Sequence, residues 1–319
     1  MRLINYSISG RTRLGCAVGA EVLDANGFVS RSYLQEGYDL QTAERMANQS
    51  VPSDLGDVLA AGADGQKRLQ AVIDRVARLS AAEKEALRRD NILCDPAKIR
   101  YLPPLAANAT IFAVGRNYAE HVAEAGSQIP TLPAIFMRTH NSVVGHRQAL
   151  LRPKLSHHFD WEVELAVIIG QHCRHVSKEN ALKVVAAYSI FNDGSLRDYQ
   201  KAAPMLTAGK NFLQSGAMGP SVVTADEVPD PQNLTLRTIL NGTVMQNANT
   251  KDMLFNIADI IAYLTQWTPL RPGDVIATGT PAGVGFMRKP PIFLKPGDAL
   301  RMEIGNLDAL ENSVVDEVA

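Results

Sequence analysis

In Asp160-Trp161-Glu162-Val163-Glu164-Leu165-Ala166-Val167-Ile168-Ile169-Gly170, carboxylates occupy every second position at the mouth of an apolar, β-branched run. Side chains of a strand alternate faces, so Asp160, Glu162 and Glu164 share one face and Trp161, Val163 and Leu165 the other. Three like charges on one face repel. If that face is shielded from water, protonation or a bound cation is the inexpensive remedy. An oxygen-rich cluster suits a hard divalent ion: magnesium first, with manganese or calcium as substitutes. The competing reading is an edge strand with a solvated acidic face, against which the apolar continuation argues.

A second acid follows a second buried run. In Val185-Ala186-Ala187-Tyr188-Ser189-Ile190-Phe191-Asn192-Asp193-Gly194, the apolar stretch breaks at ordinary turn chemistry, and Arg197, Asp198 and Gln200 arrive together just beyond it. Ends of strands are where scaffolds present reactive groups. If Asp193 reaches the cavity of Glu162 and Glu164, three carboxylates can hold an ion and leave coordination positions for water or substrate. Upstream, Asn117 as N-cap, Glu120 three residues later and Gly126 as a stop predict a two-turn helix over Tyr118 to Ala125. His121 and Glu124 then lie at i and i+3, where a carboxylate can fix the imidazole tautomer and support its charge, although a solvated His–Glu pair satisfies the same spacing.

These residues resemble the fumarylacetoacetate hydrolase superfamily, in its branch related to acylpyruvate hydrolases and 2-keto-4-pentenoate hydratases. The resemblance runs in consistent order from about Ile111 to near Val318. It rests on Gly115-Arg116-Asn117-Tyr118-Ala119-Glu120-His121, the acidic strand, Asn192-Asp193, Arg197-Asp198-Tyr199-Gln200, Gly209-Lys210, Gly219-Pro220, Asn241-Gly242, Gln246, Asn249-Thr250, Pro272-Gly273-Asp274-Val275-Ile276 and Thr278-Gly279-Thr280-Pro281-Ala282-Gly283-Val284-Gly285. It implies magnesium on Glu162, Glu164 and Asp193, a base dyad of His121 and Glu124 on a lid, and stabilisation of developing charge by Lys210 and Gln200. It also implies substrate contacts from Arg116, Tyr118, Arg138, Arg197 and Thr280. The activity implied is hydrolysis of a carbon-carbon bond in an acylpyruvate-like β-diketo acid, with pyruvate released, in aromatic catabolism. Decarboxylation, hydration or isomerisation of a related 2-keto acid, of the oxaloacetate or 2-hydroxyhepta-2,4-diene-1,7-dioate type, is the alternative. A metal-stabilised protein without chemistry is a third reading, against which the intact His121, Glu124 and Lys210 set speaks.

Two positions depart from the family pattern. Arg138 stands where a lysine is common, and its planar fork is expected to grip a second substrate carboxylate, unless it is a structural arginine tied to a neighbouring acid. Leu213 stands where an acid is often found. Thr278 to Gly285 is no phosphate loop, since no Gly-Lys-Ser/Thr follows; Gly279, Gly283 and Gly285 are expected to let backbone approach the ligand, with Thr280 offering a hydroxyl.

Composition excludes other classes. With 319 residues, 46% of them hydrophobic, the chain can bury a large core. A formal net charge of -1 gives no footprint for nucleic acid or an anionic membrane. No apolar run is long enough to span a bilayer and no secretory core follows Met1, so a cytoplasmic location is expected; the resemblance implies a homodimer. Cys16, Cys94 and Cys173 are too scattered for a disulfide framework or zinc, and adjacent His157 and His158 read as loop residues.

The organisation expected is α+β and mostly β. An accessory α/β domain, 1–104, carries strands Leu3 to Ser7, Leu14 to Val18 and Glu21 to Leu23 and helices Leu40 to Asn48 and Gln66 to Arg89. Pro103-Pro104 marks a linker. The catalytic domain, 105–319, is a β-roll or barrel with helices at Lys178 to Ala187 and Met253 to Gln266.

Overall fold

The acidic strand lies at the centre of the molecule. The computed structural model describes residues 1–202 and 204–318. Val163–Ile169 pairs antiparallel with Val185–Asn192 on one side and Val275–Ala277 on the other. It is buried along its whole length, as a strand covered on both faces must be to read as an unbroken apolar run. Val163, Leu165, Val167 and Ile169 enter one core, while Ala166 and Ile168 enter another.

The first core is shared with a five-stranded sheet, ordered Thr243–Asn249, Thr235–Leu240, Ala299–Ile304, Leu310–Asp316 and Leu150–Arg152, which contributes Leu236, Leu300, Met302 and Leu310. Facing sheets around one core make the expected α+β roll. The second core joins the opposite face to the N-terminal helices through Leu55, Val58, Leu69, Val76 and Leu87. Strand Arg2–Ile8 pairs with Gly216–Thr224, so the N-terminal strands extend the same large sheet. Arg100–Tyr101, next to the proline pair, is stitched to Arg2–Ile8, and the Asn5 amide donates to Pro103 and Leu105 carbonyls.

Local capping explains where helices depart from the expected ranges. The helix expected over Gln66 to Arg89 is two, Gly62–Ala77 and Ala81–Arg89, because Ser80 and Glu83 form a capping box that starts a new helix. Helices Ala25–Gln35 and Leu55–Ala60, capped by Asp24 and Asp54, were not expected. Lys178 to Ala187 is helical only over Lys178–Ala181 and a 3-10 turn; from Val185 the chain joins the sheet. The later helix begins at Ile257 rather than Met253, since Asn256 and Asp259 form its box. All three cysteines are free and buried, and among the described residues no helix is long and apolar enough to cross a membrane.

Candidate active site

Glu162, Glu164 and Asp193 converge. One oxygen from each lies within 4.8 Å of the others, and all three side chains are buried. Strand pairing brings them together: Val163 faces Asn192 across the ladder, the Asp193 amide donates to the Glu162 carbonyl, and the Asn192 side chain accepts from the Glu162 amide. Asp160 belongs elsewhere. The chain leaves one ladder at Asp160 and enters another at Val163, and the Asp160 carboxylate accepts from the Trp161, Gly285 and Phe286 amides and from Arg197.

Three buried cations hold the acids. Arg197 bridges Asp160 and Glu162 and also donates to Gln200. Lys210 Nζ donates to Glu162 Oε2 at 2.7 Å and to both the carboxylate and the carbonyl of Asp193. Arg138 uses all five donors: Nη1 on Asp193 Oδ1 at 2.6 Å and the Gly194 carbonyl, Nη2 on Ser215 Oγ and the Ser142 carbonyl, Nε on Ser142 Oγ. Burial would raise Glu162, but Lys210 and Arg197, with His121, outweigh it and hold its carboxyl well below the usual range. Glu164 behaves oppositely, pushed well above by burial and by repulsion from Asp193 and Glu162; it accepts one hydrogen bond, from the Gly279 amide at 2.8 Å.

This imbalance tests the expected cation against the donor set. Asp160, Glu162, Glu164 and Asp193 face Arg138, Arg197 and Lys210, all buried, so four carboxylates meet three cations and one negative charge stays uncompensated at Glu164. Three convergent carboxylates with excess charge fit a hard divalent ion.

A cavity of about 900 Å³ opens onto the cluster, lined at this end by Glu162, Glu164, Asp193, Arg197, Gln200, Lys210, Thr280 and His121. His121 comes from helix Ala119–Glu124, and its Nδ1 lies 3.5 Å from Glu124 Oε2, within ion-pair range but without a formed hydrogen bond. Glu124 also accepts from the Gly283 amide. The expected cap of that helix is absent. Asn117 spends its side chain on the Thr278 and Phe255 carbonyls and on the Phe255 amide, tying the helix's start to the glycine-rich segment.

The residues expected to contact substrate differ in how free their side chains are. Arg138 is sealed, with no donor left, and takes the structural alternative: it braces Asp193 from below. Tyr118 is buried in the core and its hydroxyl has no partner among the described residues; burial and Glu164 raise its pKa. Arg197 reaches the cavity, but its guanidinium is engaged by acids. Thr280 lines the cavity and accepts from Gln246. Arg116 lines it too, at φ +57, with no hydrogen-bond or ion-pair partner among the described residues.

The glycine-rich segment is also tied to the acids of the site. Its amides address acids: Gly279 to Glu164, Gly283 to Glu124, Gly285 to Asp160. Gly279 has φ +98, and a Cβ there would stand 2.6 Å from the Asn117 Cβ. Gly209 has a comparable reason, since a Cβ would meet Gln200 backbone at 2.5 Å and push Lys210 off the acids. The sequence reading missed the cavity's apolar wall, whose residues come from distant segments. His157 and His158 stay outside the cluster; His158 pairs with Asp198.

Residues 110–315 match the family described as fumarylacetoacetate (FAA) hydrolase C-terminal. The chain is 36% identical over 250 residues to a mitochondrial oxaloacetate tautomerase of Rattus norvegicus, covering 78% of this chain and 80% of that one. It is 43% identical over 217 residues to a 2,4-didehydro-3-deoxy-L-rhamnonate hydrolase of Sphingomonas sp. (strain SKA58), covering 67% and 76%. The crystal structure of maleylpyruvate hydrolase from Sphingobium sp. SYK-6, in complex with manganese(II) and pyruvate, is similar with a TM-score of 0.71 and 25% identity across 100% of both chains. With more than half its length matched and relatives this similar, the chain belongs to the fumarylacetoacetate hydrolase family.

Proposed function

We propose that this protein is a magnesium-dependent hydrolase that cleaves the carbon-carbon bond of an acylpyruvate-like β-diketo acid and releases pyruvate. The observation that carries the reading is that His121, with Glu124 3.5 Å from its Nδ1, lines the same cavity as Glu162, Glu164 and Asp193. A base for water and a site for charge on a 2-keto acid therefore face one volume. Glu162, Glu164 and Asp193 would hold magnesium or manganese, which would supply positive charge to offset the negative charge that develops on the 2-keto oxygen as the pyruvate enolate forms.

The chain's own residues do the rest. The His121 ring, with the Glu124 carboxylate beside it, takes a proton from water, whose oxygen bonds to the distal carbonyl carbon. Gln200 and Lys210, the latter exchanging one contact with the acids, donate to the oxyanion. Collapse of the adduct breaks the carbon-carbon bond, leaving its electron pair on the pyruvate carbon, and the proton held by His121 returns there. Arg138 and Arg197 keep Asp193 and Glu162 in place.

The rhamnonate-derived hydrolase relative and the manganese and pyruvate bound by maleylpyruvate hydrolase support this reading. The tautomerase relative favours a second: keto–enol interconversion of oxaloacetate, which needs proton transfer at carbon and no bond cleavage. Incubating the magnesium-loaded protein with acylpyruvates and with oxaloacetate, and following pyruvate release and enol absorbance, separates the two. Chelation should abolish turnover and magnesium or manganese restore it; full activity in excess chelator overturns the metal assignment. A cytoplasmic homodimer completes the proposal, and the dimer is checked by solution mass.

A further inference from the structure

The cavity is larger, and its far wall more apolar, than a small 2-keto acid needs. About 900 Å³ lies at the upper end of pockets that enclose drug-sized ligands, roughly 300–1,000 Å³. Away from the acids its wall is built by Ile135, Met137, Met205, Leu206, Tyr263 and Trp267. Three of these keep large apolar side chains in water: Met205 is 73% exposed, Met137 54% and Trp267 51%. Apolar surface gathered on one concave wall marks a binding site, and methionines adapt to the shape of what binds. Trp267 packs against Phe112 in a T-shaped pair, ring centroids 6.3 Å apart, which helps to position the half-exposed indole on this wall.

Charge recognition is sparse here. Arg197 and Lys210 are engaged by the acids, and Lys201 lies 3.8 Å over the Phe286 ring. Arg116 has no partner among the described residues and Lys201 has none beyond the Phe286 ring, so Arg116 is the cation left for the single carboxylate of a 2-keto acid. With Arg138 sealed, the reader expected for a second carboxylate is gone.

Resting on the hydrolytic reading of this same site, we infer that the preferred substrates carry a bulky apolar or aryl acyl group, which stacks against Trp267 and Tyr263 and packs on Met137 and Met205. The reaction balances as R–CO–CH2–CO–COO⁻ plus water giving R–COOH and pyruvate, with R on the apolar wall.

Two measurements test this separately from the hydrolytic reading. Affinity comes from calorimetry on magnesium-loaded His121→Ala protein with benzoylpyruvate, acetylpyruvate and fumarylpyruvate; turnover comes from the native holoenzyme with the same three. Benzoylpyruvate should bind and turn over at least tenfold better than either competitor. Trp267→Ala should reduce the benzoyl-to-acetyl affinity ratio about tenfold. Met205→Asp, at a position 73% exposed where folding does not depend on the side chain, should reduce it in the same direction. Tight benzoylpyruvate binding without pyruvate release would retain the apolar subsite and remove the hydrolase. Equal affinities, preference for fumarylpyruvate, or an affinity ratio unmoved by both substitutions would overturn the inference.

Discussion

Arg138 Nη1 lies 2.6 Å from Asp193 Oδ1, with both side chains sealed from water. Arg138→Ala should therefore act through Asp193 rather than through one substrate class. Leaving a buried partner unpaired costs about 3–5 kcal/mol. Expected outcomes are a lower unfolding midpoint, weaker manganese binding by calorimetry, and equal losses of kcat/KM for diacid and neutral substrates. Selective loss on diacids alone would restore the carboxylate-reading role.

Glu164 is the uncompensated member of the cluster, and its substitution should separate stability from metal binding. Its folded-state pKa lies above the ordinary 4.5, so the ionised group penalises the metal-free fold at pH above the folded value. That penalty is relieved as pH falls through the folded value toward 4.5. Glu164→Gln should thus raise the denaturant midpoint of metal-free protein at neutral pH while weakening manganese binding by an order of magnitude or more. Native protein should bind manganese less tightly as pH falls, because the proton competes at Glu164. A pH-independent affinity in the native protein would remove Glu164 from the ligand set.

His121→Ala should retain manganese affinity and lose acylpyruvate hydrolysis by about a hundredfold or more, the usual range for a general base. Glu124→Gln should fall between, because the Gly283 amide still holds the side chain while the charge beside His121 is gone. Hydrolysis by His121→Ala at the native rate would place water activation elsewhere.

Acid should destabilise the fold through His146, far from the cavity. Burial, with Arg147 nearby, pushes its pKa from 6.5 down to about 4, and its Nδ1 accepts from the Glu311 amide, a bond that protonation breaks. The unfolded chain takes up this proton first, so the contribution is fully present above pH 6.5 and is lost as pH falls from 6.5 to about 4. Its full size is on the order of 3 kcal/mol. Urea midpoints of native protein and His146→Asn at pH 7 and pH 5 check this: the difference between them should shrink at the lower pH.

The sequence by itself determined the local facts. Alternation along Glu162 to Ile169 assigned faces correctly because the side-chain period of a strand is fixed by its backbone, and Glu162, Glu164 and Asp193 were legible as acids at the ends of buried runs. His121 and Glu124 were legible because three-residue spacing on a helix is geometry, not context. Partner choice was not legible. Arg138 stands 55 positions from Asp193, and Asp160 meets Gly285 across 125, so nothing local reveals that the first braces an acid and the second is held by backbone amides. The tertiary structure likewise decided the apolar wall, since Ile135, Met205 and Trp267 share no pattern until strand, loop and helix enclose one cavity. Long-range packing selects which donors are spent and which remain free, and that selection separates a structural arginine from one available to substrate.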